Sequence, residues 1–199
     1  MSSMWTLAEP GRGKLVEKRS RFLSFAYPLS TAGEAAVHVD ELRREYRDAR
    51  HVVYAYRVLK GKKILERADD AGEPARSAGW AILELLRGKD LVNVLVVVVR
   101  YFGGVKLGVG GLRRAYRDAA SLALEDAGIV QYVPRGRYRL TFHPEHSGRA
   151  FSLLSRLGAK IRSREYVGGR VVVALEIPWD RVPDLEDGIR PWGEVRPVE

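Results

Sequence analysis

Apolar and polar positions follow two different periods along this chain, and together they predict a mixed α and β protein. Residues 12–29 partly alternate between apolar and polar side chains, which predicts two extended segments. His51–Leu59 is rich in Val and Tyr and predicts a strand, which Lys60-Gly61-Lys62 turns into a second strand that runs through Leu65. Leu91–Arg100 is a continuous apolar run and predicts a buried, central strand.

Helical spacing appears in three places in the first two thirds of the chain. Thr31 and Glu34 form a capping box at the start of the first helix. Ser77 is predicted to cap a second helix that runs to Arg87, and a third helix is predicted over Gly111–Ala127. The apolar positions of the first helix are Ala35, Val39, Leu42 and Tyr46, and those of the third are Leu112, Ala115, Ala119, Leu122 and Ala123.

The pattern changes after the Pro- and Gly-containing segment 130–136, which we interpret as a domain boundary. The elements that follow are predicted in the order β-α-β-β-α-β, the ferredoxin-like pattern. We therefore expect an α+β protein with an N-terminal domain over residues 1–133 and a C-terminal domain over residues 134–199. The predicted elements of the second domain are Arg137–Phe142, a helix over about 144–157, the hairpin strands Lys160–Val167 and Arg170–Ile177 around Gly168-Gly169, a helix over Asp180–Asp187, and a strand over Glu194–Val198.

Composition and charge narrow the range of possible functions. The 199 residues include 34 basic and 25 acidic side chains, for a net charge of +9, which favours an anionic partner. The chain has no cysteine, so disulfides, thiol catalysis and zinc thiolate sites are excluded. The longest apolar run, Val94–Val99, is too short to span a membrane, and nothing resembles a signal peptide. We expect a cytoplasmic protein without a membrane partner.

The segment from Arg100 to Arg117 carries the strongest functional pattern. It contains five glycines and five basic residues and no acidic one, between a predicted strand and a predicted helix. Free backbone N–H groups and the positive end of a helix dipole suit phosphate. The alternative is a tight strand-to-helix turn whose arginines face solvent. The predicted phosphate-binding residues are Arg100, Lys106, Gly108, Gly110, Gly111, Arg113, Arg114 and Arg117.

An acidic loop offers a second candidate site. Asp69, Asp70 and Glu73 place three carboxylates within five residues, and His51 opens a neighbouring strand. Mg²⁺ accepts oxygen ligands, but this spacing fits no standard metal loop, whereas Asp and Gly before Pro74 are ordinary turn residues. The sequence therefore favours a turn whose carboxylates compensate the positive charge of the predicted basic helix. It predicts neither a bound metal nor a cofactor.

A basic surface is also predicted in the second domain. Arg135, Arg137 and Arg139 alternate with other residues, as do Arg162 and Arg164, so each set is expected on one face of its strand. An open sheet face with Arg and Tyr suits RNA. The alternatives are an exposed face with cross-strand pairs and a face that packs on the other domain.

The motifs resemble the IMPACT/YigZ family. ADDAGEPARSAG, which ends at Gly79, and RYFGGVKLGVGGLRRAY from Arg100 are similar to its two characteristic segments. Lys18–Phe22 and Ala49–Tyr56 resemble two further elements, so the likeness spans most of the chain. The chain departs from the family pattern at Ala71, which is inserted, and at Val53 and Ser77, which replace Cys and Thr.

The resemblance implies a ribosomal-protein-like α/β domain, a fold also found in small-molecule kinases, followed by a ferredoxin-like domain similar to the C-terminal domain of elongation factor G. Its eukaryotic members are translational regulators that act through a protein partner. Since no serine nucleophile elbow, Walker loop or zinc spacing is present, we expect a non-catalytic protein that binds RNA or the ribosome and regulates translation. The alternatives are a phosphate- or nucleotide-handling enzyme that uses His51, Asp69, Asp70 and Glu73, and an adaptor for a protein partner.

Overall fold

A computed structural model describes residues 4–198, so residues 1–3 and 199 of the predicted domains lie outside the described part. The chain divides into two compact units, one up to Tyr132 and one from Val133. Each unit has its own buried apolar core. Within residues 4–198, no helix has both the length and the apolar character needed to cross a bilayer.

The first unit is built on a five-stranded antiparallel sheet in the strand order β2-β3-β6-β4-β5. A separate pair of short strands, β1 and β7, joins the beginning of the unit to its end. The sequence pattern missed this pair because each strand has only four residues. The strands are β1 (Met4–Leu7), β2 (Gly11–Glu17), β3 (Ser20–Pro28), β4 (His51–Lys60), β5 (Lys63–Asp69), β6 (Val94–Tyr101) and β7 (Ile129–Tyr132), and the helices are α1 (Ala32–Glu45), α2 (Gly79–Gly88) and α3 (Gly108–Ala127).

The central position of β6 explains its continuous apolar sequence. Its even-numbered residues Val94, Val96 and Val98 pack in one core with α2 and α3. Its odd-numbered residues pack in a second core with α1, on the other face of the sheet. The strand is therefore buried on both faces, as its sequence predicted, although all its neighbours are antiparallel.

Helix α3 begins at Gly108, three residues before the predicted start, and lies very close to the edge strand β2. A Cβ atom on Gly11 would come within 2.3 Å of the Ala123 carbonyl oxygen, so only glycine allows this approach. The prediction was wrong for Leu122, which is 38% exposed, because the buried face is set by the residues that touch the sheet. That face consists of Leu112, Ala115, Tyr116, Ala119, Ala120, Ala123, Leu124 and Ala127.

The second unit has the element order β-α-β-β-α-β that the sequence predicted. Its four strands are antiparallel in the order β11-β8-β10-β9, and both helices pack in a single core against one face of the sheet. A single turn of 3₁₀ helix precedes each α-helix. The elements are β8 (Arg135–Phe142), α4 (Ser147–Arg156), β9 (Lys160–Val167), β10 (Arg170–Pro178), α5 (Val182–Ile189) and β11 (Gly193–Pro197).

The hairpin between β9 and β10 turns at Gly168 and Gly169, as the sequence predicted. Gly168 and Gly169 both have positive φ, 58° and 76°, which a two-residue turn of the I′ type requires. Arg170 pairs with Val167 directly across this turn.

Candidate functional site

Three chain segments converge on one end of the first unit. They are the β2–β3 turn at Lys18-Arg19, the acidic loop between β5 and α2, and the glycine-rich loop between β6 and α3. The Gly103 N–H donates to Ser20 Oγ at 3.2 Å. A Cβ atom on Gly103 would lie 2.0 Å from the carbonyl carbon of Arg19, so the loop and the turn are in contact through their backbones. We call these three segments the loop cluster.

A buried polar group holds the loop cluster together. Arg100 Nη1 donates to Glu73 Oε1 at 2.7 Å, and Tyr116 Oη donates to the same oxygen at 2.7 Å. Arg100 Nη2 donates to Ser20 Oγ at 3.3 Å. The side chains of Arg100 and Glu73 are only 6% and 4% exposed. Burial, followed by the neighbouring Glu73 carboxylate, raises the pKa of Tyr116, so its hydroxyl remains a donor.

Arg100 therefore differs from the other predicted phosphate contacts. Arg100 was predicted to bind the phosphate of a ligand. Its guanidinium is instead buried and paired with Glu73 of the same unit, so this part of the prediction does not agree with the structure. Sequence reasoning missed Ser20 and Tyr116, although both lie within the segments that resemble the family motifs. Sequence reasoning expected the carboxylates of the acidic loop to compensate the basic helix, whereas Glu73 pairs with Arg100 of β6.

Asp70 fixes the start of α2. Its carboxylate accepts the N–H groups of Ala78 at 3.0 Å and Gly79 at 2.8 Å, and its second oxygen accepts the Arg76 N–H at 2.7 Å. An anion at a helix N-terminus is stabilising. Ser77 was predicted to cap this helix and does not, because its hydroxyl donates to the Pro74 carbonyl at 2.6 Å.

His51 and Asp69 are also engaged within the acidic loop. His51 Nδ1 lies 2.9 Å from the Ala71 carbonyl oxygen, and Asp69 Oδ1 accepts the Ala71 N–H at 2.8 Å. All four side chains of the alternative polar site thus have internal partners. Over residues 4–198, no three or more histidine, aspartate and glutamate side chains are grouped so that they could hold a metal ion.

Unusual backbone conformations concentrate in the loop cluster. Lys18 and Arg19 in the turn have φ of 45° and 65°, and Ala71 and Arg76 in the acidic loop have φ of 46° and 60°. Residues with a side chain seldom adopt positive φ, and such strain tends to gather at functional sites. The strained residues flank the buried Arg100–Glu73 pair, which is the group that holds both segments in place.

A basic groove of about 480 Å³ lies between α2 and α3. Arg113, Arg114 and Arg117 of α3 line one side, and Glu84 and Lys89 lie on the other. Arg113 Nη2 is 3.2 Å from Glu84 Oε2 in an exposed pair. We call this feature the basic groove. A smaller recess of about 140 Å³ on the other side of Arg114 is lined by Lys18, Leu107 and Gly111, among others.

The first residues of α3, Gly108, Val109 and Gly110, are exposed. No side chain of its N-cap residue, Leu107, bonds to the first N–H groups of the helix. Gly108 has φ of 73°, and a Cβ atom on Gly108 or Gly110 would meet nothing within 4 Å. The predicted glycines thus lie where an anion has room to approach, next to Lys106, which is exposed.

The predicted basic surface of the second unit is only partly assembled. A β-bulge lies in β9 between the residues that pair with Ala174 and Leu175 of β10. It interrupts the alternation of β9 side chains between the two faces of the sheet. Arg162 therefore bonds to Glu176 Oε2 at 2.6 Å on the open face, whereas the Arg164 guanidinium lies 4.8 Å from the ring centroid of Phe151, a helix residue. The expectation that Arg162 and Arg164 share one face was wrong.

The remaining arginines of this surface differ in how they are held. Arg137 lies 3.6 Å from Glu176, and the hydrogen bond from Arg162 lowers the pKa of that carboxyl. Arg135 donates to the Gly158 carbonyl at 2.9 Å. Arg139 lies directly opposite Arg196 of β11, whose Nε donates to Glu194 Oε1 at 2.7 Å.

These features define a class of mixed α/β protein in which two units built on antiparallel sheets follow one another, with three loops of the first unit held together by a buried ion pair. The Impact N-terminal domain family matches residues 18–124, which include all three loops. The chain belongs to the IMPACT family. The IMPACT family member YvyE of Bacillus subtilis is 31% identical over 84% of this chain and 73% of its own length, and YigZ of Escherichia coli is 32% identical over 75% and 74%.

Solved structures extend the comparison. The crystal structure of a hypothetical protein matches 100% of this chain and 98% of its own, with a TM-score of 0.68 and 29% identity. The structure of Yih1, a two-domain translational regulator, matches 58% of this chain and 45% of its own, with 30% identity and a TM-score of 0.36. Among the relatives by sequence, the protein IMPACT homolog of Saccharomyces cerevisiae is 33% identical over 52% of this chain and 40% of its own length.

Proposed function

We propose that this protein binds RNA or a ribosomal surface and modulates translation without catalysing a reaction. The observation that carries the proposal is the basic groove, where three arginines of α3 and Lys89 face one acidic residue, Glu84. Arginine forms bidentate bonds to phosphate, and a row of such contacts follows a nucleic-acid backbone. The translational role is suggested by the eukaryotic members of the family.

The charges around the groove are incompletely compensated by the protein itself. In the described part of the chain, ion pairs involve Arg113 and Arg117, but none involves Lys106 or Arg114. Lys106 lies just before the first residue of α3, Gly108, where a positive side chain opposes the helix dipole. A bound phosphate would relieve this repulsion and would also accept the N–H groups of Gly108 and Gly110 in the first turn of the helix.

The second unit would offer a basic surface of its own through Arg137, Arg139 and Arg162 on the open face of its sheet. The likeness of this unit to the C-terminal domain of elongation factor G, which the family resemblance implies, belongs to the same proposal. It would suit contact with a ribosomal surface. A protein partner at the ribosome is compatible with this role.

The enzymatic alternative has less support from the site. Asp70 accepts three backbone N–H groups, and Glu73 accepts bonds from Arg100 and Tyr116. A general base needs a lone pair within reach of substrate. We therefore assign these carboxylates to the structure of the loop cluster.

The salt dependence of RNA binding tests the proposal. We expect the variant Arg113→Ala/Arg114→Ala/Arg117→Ala to bind RNA more weakly and to lower the slope of log K against log salt by roughly two to three, about 0.7 to 0.9 for each lost phosphate contact. Fluorescence anisotropy with labelled single-stranded and duplex RNA over a salt series measures both quantities.

The matched control removes the same charge from the other face of the sheet. Arg43, Arg44 and Arg47 are exposed on or just after α1, which packs in the opposite core. Their replacement by alanine should leave the slope nearly unchanged. Equal losses in both triple variants would show that only net charge matters and would refute the site. An absence of binding by the wild type at low salt would refute RNA as a ligand.

A further inference from the structure

Phe102 stands out among the phenylalanines of this protein. It is 55% exposed, whereas Phe22, Phe25 and Phe142 are at most 6% exposed and Phe151 is partly buried. It follows β6 directly and opens the glycine-rich loop. A phenyl ring that is more than half exposed gains little from burial within the unit, so burial does not account for its place in the loop cluster.

One face of the Phe102 ring is held by a fixed cation. The guanidinium carbon of Arg100 lies 5.6 Å from the centroid of this ring and 5.5 Å from that of Phe22. Arg100 is itself held through Nη1 by Glu73 and through Nη2 by Ser20. Its Nε atom is buried without a hydrogen-bond partner, so the guanidinium is placed beside the rings at some cost in hydrogen bonding. The arrangement orients Phe102 and leaves the rest of its ring in solvent.

The surroundings of the exposed ring are basic. No acidic residue occurs between Phe102 and Arg117, and the same segment contains Lys106, Arg113 and Arg114. The next residue, Gly103, touches the backbone of the turn at Lys18-Arg19. Gly104 has φ of 87° and open space where a side chain would be, so a ligand can approach the loop backbone closely.

We infer that Phe102 is a stacking platform for an unpaired RNA base, and that the site takes single-stranded rather than duplex RNA. The inference rests on the proposed function and specifies its ligand. A flat ring supported from one side offers its free face to a planar group, and bases of single strands can be splayed out onto such rings. Duplex bases are stacked on one another and cannot reach it. The neighbouring cations would hold the phosphates on either side of the stacked base.

Substitutions at Phe102 distinguish the contribution of base stacking to RNA affinity from the contribution of charge. We expect Phe102→Ala and Phe102→Leu to weaken binding of a single-stranded RNA oligonucleotide by roughly 5- to 150-fold. The slope against salt should stay as in the wild type because no charge is lost. Phe102→Trp, which keeps an aromatic face, should retain most of the affinity. Val105→Ala is the matched control, since Val105 is 41% exposed in the same loop and has no ring.

Anisotropy with labelled single-stranded and duplex RNA gives these affinities, and the fluorescence of a 2-aminopurine base in the single strand reports stacking directly. Support requires that Phe102→Leu loses both affinity and quenching while its duplex binding and slope are unchanged. Wild-type affinity in Phe102→Ala, with a lowered slope in the arginine triple variant, would overturn stacking and leave the proposed function intact. An equal loss in Val105→Ala would indicate a general apolar contact instead.

Two further outcomes would also overturn the inference. If Phe102→Ala binds RNA normally but no longer captures a protein that the wild type retains after nuclease treatment, then Phe102 contacts a protein. If the wild type binds neither form of RNA at low salt, the stacking platform and the proposed function fail together.

Discussion

At the scale of single residues, the buried guanidinium of Arg100 depends on very few neighbours. Glu73 is the carboxylate that pairs with it, and Tyr116 and Ser20 complete the group. Desolvating such a pair is expensive, so the pair adds less stability than its short distance suggests. Removing one partner alone is costly because the other charge stays buried. The pair therefore serves mainly to fix where three loops meet.

We expect Glu73→Gln to lower the free energy of unfolding by about 3 to 5 kcal/mol, because it leaves Arg100 as an unpaired buried charge. The double variant Glu73→Gln/Arg100→Met should recover much of that loss. Urea unfolding of the wild type and both variants measures the difference. The control is Glu84→Gln, whose partner Arg113 is exposed and which should cost at most about 1 kcal/mol. Similar small losses in both single variants would contradict this account.

At the scale of elements, the glycine-rich loop combines two different uses of glycine. Gly103 is needed for space, because a Cβ atom there would lie 2.0 Å and 2.2 Å from the carbonyl carbon and oxygen of Arg19. Gly104 is needed for its φ of 87°, while the space around it is open. The first glycine holds the loop against the β2–β3 turn, and the second lets the chain turn towards α3.

We predict that Gly103→Ala destabilises the protein more than Gly104→Ala. The first change pushes two backbone segments apart, whereas the second costs about 1 to 2 kcal/mol for a left-handed residue. Thermal and urea unfolding of both variants measure the order. Gly148→Ala, in α4 with open space and no positive φ, is the control and should be neutral or slightly stabilising. The reverse order would show that the turn can move away without cost.

The elements themselves were largely predictable, whereas their contacts were not. The apolar run of β6 and the Gly168-Gly169 turn determine local structure directly, and both predictions are confirmed. The cap of α2 comes from Asp70, eight residues before Ala78, and local spacing cannot show this. The partner of Arg100 and the bulge at Arg162 likewise depend on the folded arrangement. Charge pattern predicted the arginines of the basic groove but not which basic residue would be buried.

At the scale of the whole molecule, each unit has a complete core of its own. The cores of the first unit contain no residue beyond Ala127, and that of the second contains none before Tyr138. A unit with a self-contained apolar core is expected to fold independently.

We therefore expect a fragment of residues 1–132 to unfold cooperatively and to keep the salt-dependent RNA binding assigned to the basic groove. Calorimetry and anisotropy measure the two properties, with the full chain as the reference. A modest decrease in the slope of log K against log salt would measure the contribution of arginines in the second unit to RNA binding. A fragment that folds but binds no RNA would place the main contacts in the second unit.

The pairing of β1 with β7 has a consequence for the order in which the protein forms during synthesis. Met4 pairs with Tyr132 and Leu7 with Ile129, so the first described strand must wait for the last strand of its unit. The β2–β3 hairpin can form early because its strands are adjacent in sequence. While the chain is growing, Trp5 of β1 can already bond to the backbone of Asp90 and Val92, but we expect the strand to lack its β7 partner until Tyr132 has left the ribosome, and only then does the first unit close.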